Sequence, residues 1–459
     1  MNPKVGIIGA GPAGCTLAIL LKQRNIDCVV YDDDHKPDLI VGESLVSAVI
    51  PILRKLGIED KVAAISTLKY GAALRHANGT RVDFRFQEFG SDYPAYSYNI
   101  PRPEFDDIIK DHAKSLGVKF VQCRAKVEKT RNDPAREIQL SDECLNAASL
   151  DRASQPDLLV DATGRARAFS RALKIPATKG NRNDVSYFAH YESFDADNVV
   201  PGQVVLSVLD CGWSWQIPVK DVLSVGVVLN KGVAKQYGSN AEERLEAAIN
   251  LDPLLRKSGQ NRRRVSDVKS YSNYQLISER GFGNGWVLLG DSFGFVDPML
   301  SPGVFMGMES AVLLDKVISK KRATVDFNQS IARDLQAYSN DIMQWHNAWD
   351  SLISYFYDGR LLSMANVRKN IQQNSGRFSL PRLMEPKISR ALSSLVSGIK
   401  TRSSFNQSVL MHSCKFMLKD AEESIQEHAI KTIPKESLDT KMNASKELLN
   451  KAEKHQSAA

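Results

Sequence analysis

The sequence predicts an α/β fold in three parts: a Rossmann-type dinucleotide-binding domain, an inserted antiparallel sheet and a helical C-terminal region. Three observations support this prediction. A glycine-rich turn follows an apolar run near the start, the middle of the chain is rich in strand-forming residues, and the pattern past residue 330 is helical. We expect the first domain to be discontinuous, over 1–175 and 276–330, with the sheet at 176–275 and the helices at 331–459.

The first element is a buried strand at residues 4–8, followed by a helix over 12–24 and a second strand at 28–31. Glycines with the spacing GxGxxG lie between the first strand and the helix, and an aspartate follows the second strand. Glycines let the backbone approach a pyrophosphate, the helix N-terminus offers unpaired N–H groups, and the carboxylate accepts from ribose hydroxyls. The predicted nucleotide-contacting residues are Gly9, Gly11, Pro12, Ala13, Gly14 and Asp32. This motif alone fits NAD and FAD equally well.

The elements that follow are a hairpin, two more buried strands and a helix. Asn78 and Gly79 predict a tight turn, after which apolar residues alternate with charged ones. Apolar runs at 158–160 and 286–289 predict two further strands of the dinucleotide-binding sheet, and a helix is expected from about Gly303.

Residues 213–218, with the sequence WSWQIP, are predicted to form one strand of the inserted sheet. Because side chains alternate along a strand, Trp213, Trp215 and Ile217 lie on the same face, and Pro218, which lacks an N–H, is expected to end the strand. From the residues alone, an aromatic stripe of the core is the simplest interpretation.

The composition excludes several classes of protein. With 43% hydrophobic and 25% charged residues the chain can bury a large core, and no hydrophobic run approaches the roughly 20 residues that span a bilayer. The six cysteines show no CxxC pair and no metal-ligand spacing, which predicts reduced thiols in a cytoplasmic protein. A net charge of +7 is too small to predict a nucleic-acid partner.

Three further motifs resemble conserved pieces of the aromatic hydroxylase superfamily of flavoproteins: GDSFGFVDP at 290–298, DATGR at 161–165 and RPEFD at 102–106. The resemblance implies that the bound dinucleotide is FAD. It also implies that Asp291 binds the ribityl chain and that the segment through Pro298 lies against the flavin ring.

Within that superfamily, the sequence resembles the flavin-dependent halogenases of the phenol and pyrrole type. Four features carry the resemblance: GES at 42–44, the WxWxIP strand, the FVDP segment, and Lys69 shortly before a Gly-Ala pair. It implies that Trp213 and Trp215 stand beside the isoalloxazine and keep organic substrate away from it, so that halide is oxidised instead. The further FAD-contacting residues that it implies are Glu43, Ser44, Arg102, Asp291, Pro298 and Gly303.

The resemblance also implies that Lys69 is the catalytic residue. Hypohalous acid formed at the flavin is indiscriminate, and a buried lysine can direct it in two ways. The ammonium can hydrogen-bond it, or the amine can react to a haloamine, and either presents electrophilic halogen to one aromatic carbon. Burial readily lowers the pKa of a lysine, which makes the amine accessible. From the residue alone, an exposed strand lysine is the alternative interpretation.

Two residues depart from the pattern of the tryptophan halogenases. Leu300 stands where those enzymes carry a glutamate, so the sequence favours a phenol or pyrrole over free tryptophan as substrate. The halide of the family lies on backbone N–H groups of this turn, which assigns it here to Ser301 and Gly303. Pro302 has no N–H. Either Gly303 and its neighbours bind the halide, or the site has moved or been lost.

Positive charge is concentrated in the C-terminal region, where 17 Lys and Arg stand against 9 Asp and Glu from residue 360 onward. Apolar residues recur there at helical spacing, at Ile388, Ala391, Leu392, Leu395, Val396 and Ile399. Packing on the protein's own core explains this pattern. A surface that docks an acidic acyl carrier protein, or anionic lipid, is the alternative.

The resemblance implies an enzyme that takes reduced FAD from a separate flavin reductase, and the sequence shows no second fingerprint for NAD(P)H. With oxygen and chloride or bromide it halogenates an electron-rich aromatic, either free or tethered to an acyl carrier protein. Three alternatives remain open: a monooxygenase of the same fold that consumes NADPH itself, an isoprenoid reductase that needs no oxygen, and a non-catalytic flavoprotein that binds a partner through its C-terminal region.

Overall fold

The structure is a computed structural model, and it describes most of the chain up to residue 430. The described residues are 2–35, 39–89, 94–130, 133, 136–180, 182–195, 200–209, 212–272, 275–321, 327–374, 389–419 and 421–430. The lysine-rich tail from Pro434, for which the composition predicts partial disorder, lies outside these residues.

A six-stranded sheet holds the predicted dinucleotide motif. Its order is β19 (Phe282–Gly283), β20 (Trp286–Leu288), β10 (Leu158–Asp161), β1 (Val5–Ile8), β2 (Cys28–Asp32) and β7 (Lys119–Gln122), all parallel except β19. Every residue of β1, β10 and β20 is buried, as expected of strands covered on both faces. The carboxyl ends of these strands meet at one edge, where ligands of such sheets bind.

Helices pack against this sheet and against the larger sheet described below. Helix α1 packs against α4 and α10, and Arg24 at the end of α1 pairs with buried Asp315 of α10 at 2.7 Å. The helices of the first 320 residues are α1 (Pro12–Gln23), α2 (Ile50–Leu56), α3 (Glu59–Ile65), α4 (Arg102–Ser115), α5 (Asp142–Ala147), α6 (Ala168–Leu173), α7 (Lys231–Ala234), α8 (Ala241–Leu251), α9 (Pro253–Ser258) and α10 (Gly303–Ile318).

An eight-stranded sheet forms the second layer. Its strands run in the order β16 (Arg263–Arg264), β12 (Asp184–Glu192), β15 (Val222–Asn230), β14 (Gly212–Val219), β13 (Val204–Leu209), β4 (Gly71–Arg75) and β5 (Arg81–Arg85), and β17 (Lys269–Ser272) also pairs with β12. All pairs are antiparallel except β13 with β4. The predicted hairpin at Asn78–Gly79 therefore belongs to this sheet, although it lies outside the range 176–275.

Three small sheets complete the described strands. They pair β3 (Thr67–Lys69) with β6 (Ser97–Asn99), β8 (Val127–Lys129) with β9 (Ile138–Leu140), and β18 (Leu276–Ser278) with both β11 (Ala177–Lys179) and β21 (Gly294–Phe295).

The C-terminal region is helical, as predicted, and packs on the main core. Its described helices are α11 (Phe327–Tyr357), α12 (Arg360–Asn374), α13 (389–396), α14 (Ser404–Met417) and α15 (Glu422–His428). Leu392, Leu395 and Val396 are buried in that core, so this apolar stripe packs inside the protein and is not a free docking surface. Ile388 lies outside the described residues. No described helix is both long enough and apolar enough to cross a bilayer.

Candidate active site

A cavity of about 700 Å³ lies between the two layers and is lined by residues of both. Its volume falls in the range of roughly 300–1,000 Å³ that is typical of ligand sites. The glycine-rich turn after β1, the end of β2, the tryptophan strand and the start of α10 all contribute to its wall. The predicted site residues on its wall are Gly9, Gly11, Pro12, Ala13, Asp32, Glu43, Ser44, Arg102, Trp213, Trp215, Asp291, Pro298, Ser301 and Gly303.

The three glycines of the turn have different structural roles. A Cβ on Gly9, whose φ is +109°, would lie 2.4 Å from the carbonyl oxygen of Ala162, and a Cβ on Gly14 would lie 2.1 Å from the carbonyl oxygen of Gly9. Both therefore permit close backbone packing. A Cβ on Gly11 would have no neighbour within 4 Å, because it would point into the cavity. Gly11 is thus the glycine that leaves space for a ligand.

Asp32 holds the glycine-rich turn against the end of β2. Its Oδ2 accepts a hydrogen bond from the Ala10 N–H at 2.8 Å, and its Oδ1 accepts from the Asp34 N–H at 2.7 Å. The carboxylate also lines the cavity, where each oxygen keeps a second lone pair for a ribose hydroxyl. Asp32 therefore has a structural role in addition to its predicted contact with the ligand.

Arg102 and Asp291 line the middle of the cavity. Arg102 begins α4, donates to the Val41 carbonyl at 2.6 Å and pairs with Asp106. Gly42 makes room for it, because a Cβ there would lie 2.5 Å from the guanidinium. Burial raises the pKa of Asp291 to about 6, which the charges of Arg102 and Arg165 partly oppose.

The GES segment brings in a residue that the sequence analysis missed. Glu43 is buried, and its Oε1 lies 2.6 Å from Nε2 of His190, on β12. His190 in turn borders a second cavity of about 520 Å³, together with Arg264 and Lys269. A single histidine in an apolar strand gave no signal for this contact, which joins two segments far apart in the chain.

The tryptophan strand lines the cavity with Trp213, Trp215 and Ile217. Trp213 donates from Nε1 to the Tyr357 hydroxyl at 2.8 Å, and Trp215 donates to Ser224 at 3.2 Å. The Trp215 ring occupies the space over Gly226, where a Cβ would lie 2.2 Å from it. The strand does not end at Pro218 as expected but continues one residue further, because the hairpin with β15 closes only there.

Lys69 ends β3 and is 4% exposed. Its Nζ donates to Ser44 Oγ at 2.8 Å and to the Leu45 carbonyl at 3.0 Å, and it lies 5.4 Å from the centre of the Phe86 ring. Burial lowers its pKa to about 7. The alternative of an exposed strand lysine is wrong. Lys69 does not line the main cavity itself but lies directly behind Ser44, which does.

The turn before α10 has an unusual backbone. Leu300 and Ser301 are consecutive non-glycine residues in the left-handed region, with φ of 63° and 60°. Pro302 has φ of −76°, and no side chain caps the N-terminus of α10. Ser301 and Gly303 line the cavity together with Leu300, which supplies an apolar surface where tryptophan halogenases were expected to carry a carboxylate.

The cavity fits FAD. The α1 N-terminus has no side-chain cap and faces open space at Gly11, which suits a pyrophosphate. The wall also carries the carboxylates of Asp32 and Asp291, which would accept hydrogen bonds from hydroxyls, and the aromatic ring of Trp213.

Comparisons with known protein families agree with this geometry. The family model described as tryptophan halogenase matches residues 85–358, more than half of the chain, and a model for an NAD(P)-binding Rossmann-like domain matches residues 7–37. A tryptophan 2-halogenase of Chondromyces crocatus is 26% identical over 379 residues, covering 78% of this chain and 68% of that protein. A 1H-pyrrole-2-carbonyl-[peptidyl-carrier protein] chlorinase of Pseudomonas fluorescens is 28% identical over 396 residues, and the match covers 79% of this chain and 85% of the chlorinase.

Solved structures show the same fold. A flavoprotein/dehydrogenase of Cytophaga hutchinsonii superposes with a TM-score of 0.73 at 22% identity, covering 92% of this chain and 99% of that one. A flavin-dependent brominase superposes with a TM-score of 0.69 at 22% identity, and the match covers 90% of this chain and 100% of the brominase. The predicted fold class and the predicted family are both confirmed. The chain is an enzyme that belongs to the tryptophan halogenase family of flavin-dependent halogenases.

Proposed function

We propose that the enzyme transfers chlorine or bromine to an electron-rich aromatic ring of the phenol or pyrrole type. The main support for this proposal is a single cavity whose wall includes both the dinucleotide turn at Gly11 and the tryptophan strand. In addition, the buried Lys69 lies behind Ser44, which is part of that wall. When bound, FAD supplies the redox chemistry that oxidises halide with oxygen. The protein supplies position, exclusion of water and a directing amine.

Burial of Lys69 favours the amine over the ammonium as its working form, and its hydrogen bonds are compatible with the amine. A neutral amine has two N–H groups, and Ser44 and the Leu45 carbonyl accept both. Its lone pair is then free to attack the halogen of hypohalous acid. The N–halogen bond forms as the halogen–oxygen bond breaks, and the departing hydroxide takes one amine proton to become water. The haloamine carries the halogen toward the aromatic ring.

The substrate class follows from the turn before α10. Leu300 offers no charge to an amino-acid substrate and lines the cavity with an apolar surface, which favours a neutral phenol or pyrrole. The relatives named as pyrrole-2-carbonyl carrier-protein chlorinase and brominase support a carrier-tethered substrate as one form. We expect reduced FAD to come from a separate flavin reductase. We place the enzyme in the cytoplasm, a reducing compartment that suits its free thiols.

Replacing Pro302 with threonine is expected to lower the halide concentration needed for half-maximal rate by roughly tenfold. The proline adopts ordinary helical angles that threonine also adopts, and the change restores an N–H at the turn. A hydrogen bond to a charged group is worth about 1.5–3 kcal/mol, and about 1.4 kcal/mol is one decade. The halide concentration for half-maximal rate is measured by halide titration under single-turnover conditions, and Pro253→Thr in α9 is the control. An unchanged or higher half-saturation would show that this donor is not what the site lacks.

The proposed function is tested by mass spectrometry of products. The enzyme is incubated with FAD, an added flavin reductase, oxygen and bromide, and offered a panel of phenols, pyrroles and carrier-tethered acyl groups. A brominated product that requires both bromide and oxygen is expected. A hydroxylated product formed with stoichiometric NADPH and no reductase would indicate a monooxygenase, and turnover without oxygen would indicate an isoprenoid reductase.

A further inference from the structure

Tyr357, the last residue of α11, connects two parts of the active site that the chain otherwise keeps separate. Its hydroxyl accepts the hydrogen bond from Trp213 Nε1 at 2.8 Å and donates to the Asp297 carboxylate, 3.1 Å from each oxygen. All three side chains are buried. One phenol therefore links the tryptophan strand to the segment that leads into the predicted halide turn.

Asp297 also fixes the shape of that turn. Its Oδ1 accepts from the Met299 N–H at 2.9 Å, and its Oδ2 accepts from Gln275 Nε2 at 3.3 Å. The next two residues, Leu300 and Ser301, are in the left-handed region. Such conformations are unfavourable for residues other than glycine and persist only where their surroundings enforce them. The hydrogen bond to Met299 is one such constraint, and Tyr357 holds the carboxylate that makes it.

The position of Tyr357 is itself restricted. The Arg182 guanidinium lies 3.4 Å from the centre of its ring and pairs with buried Asp184 at 2.6 Å. Burial raises the pKa of Asp297 to about 7, while the hydrogen bonds from Met299 and Tyr357 and the charge of Arg182 oppose the shift. Tyr357 thus supports a carboxylate that would be costly to bury without hydrogen bonds.

We propose that Tyr357 is a positioning residue that holds the tryptophan wall and the halide turn in one fixed relation. Losing its hydroxyl releases the Trp213 indole and removes one of the donors to Asp297, so the two parts of the site loosen together. The structural half of this inference stands on the contacts alone. The half that concerns halide rests on the proposed function.

The structural half is tested in the FAD-free protein by NMR of the tryptophan indole N–H groups. The Trp213 signal is assigned with Trp213→Phe. In Tyr357→Phe we expect this signal to shift and its exchange with water to rise roughly fivefold, since one neutral hydrogen bond contributes about 1 kcal/mol. Tyr355→Phe is the matched control, because it removes a hydroxyl from the same helix at a ring that packs against Arg360. An unmoved Trp213 signal in Tyr357→Phe, or equal changes in both variants, would overturn the proposal.

The halide half is tested by titration with the same two variants and with Asp297→Asn. We expect Tyr357→Phe to raise the halide concentration for half-maximal rate roughly five- to tenfold with little change in FAD affinity. We also expect the effects of Tyr357→Phe and Asp297→Asn to be non-additive, because they act on one network. An unchanged halide requirement, or strict additivity, would count against the coupling. If the wild type shows no halide dependence, the proposed function fails, and the NMR experiment still decides the role of Tyr357.

Discussion

Lys69→Met is expected to lower the yield of halogenated product at least about 100-fold while the variant still oxidises reduced FAD with oxygen. Groups that act by covalent or proton transfer contribute roughly 10²–10⁴-fold to rate. The lysine lies behind Ser44 and outside the wall of the main cavity, so the flavin site is left intact. Methionine is unbranched like lysine, one atom shorter, and compatible with full burial. Product mass spectrometry and the rate of FAD reoxidation are measured together.

The control for this variant is Lys220→Met. Lys220 lies on the surface in an ion pair with Glu104 at 2.8 Å, and such pairs contribute about 0–1 kcal/mol. We expect it to halogenate at the wild-type rate. Halogenation by Lys69→Met within a few-fold of wild type would mean that the match of Lys69 to the family lysine is accidental.

The protonation state of Lys69 gives a second expected result for the wild type. Because burial lowers its pKa to about 7, the neutral fraction rises as the pH increases through 7. If the amine is the working form, the halogenation step becomes roughly tenfold faster between pH 6 and 8 under single-turnover conditions. A step that slows over this range would instead support the ammonium as hydrogen-bond donor to hypohalous acid.

Gly11→Val is expected to weaken FAD binding at least about 100-fold and to leave the FAD-free protein as stable as the wild type. A Cβ at this position meets no protein atom within 4 Å and extends into the cavity where the pyrophosphate would lie. The branched side chain therefore excludes the ligand without straining the fold. FAD titration followed by flavin fluorescence measures the first effect, and thermal unfolding without FAD measures the second.

Gly14→Ala is the matched comparison, because a Cβ there would lie 2.1 Å from the Gly9 carbonyl oxygen. We expect Gly14→Ala to destabilise the FAD-free protein by roughly 1–3 kcal/mol, as overpacking in a core does.

Stoichiometric FAD retained by Gly11→Val would refute the assignment of the pyrophosphate to this turn.

The parts of the site that could be predicted are those with a local pattern. The GxGxxG turn, the aspartate after β2 and the alternating tryptophans each carry their chemistry within a few residues, and the structure places them along one cavity. Which atoms they bind stays a prediction. The location of Lys69 behind Ser44 could not be predicted, because it depends on the pairing of β3 with β6.

The residues that the sequence analysis missed make long-range contacts and have no local motif. Tyr357 is one aromatic residue among several on a long helix, and His190 is a single histidine in a strand. Their roles arise from hydrogen bonds to Trp213 and Glu43, which lie far away in the chain. Long-range pairing also decides where the hairpin at Asn78–Gly79 belongs. Its turn could be predicted from the local sequence, but the sheet that it joins could not, because β4 pairs with the distant β13.

The order of strands in the two sheets has a consequence for how the protein is made. In the six-stranded sheet β1 lies between β2 and β10, while β20 joins only near residue 288, and in the eight-stranded sheet β4 pairs with the much later β13. A chain emerging from the ribosome therefore cannot complete either sheet early. Such non-local pairing slows folding. We expect FAD to be captured only after the chain has been synthesised through β20, so a fragment ending before β20 should not bind the cofactor.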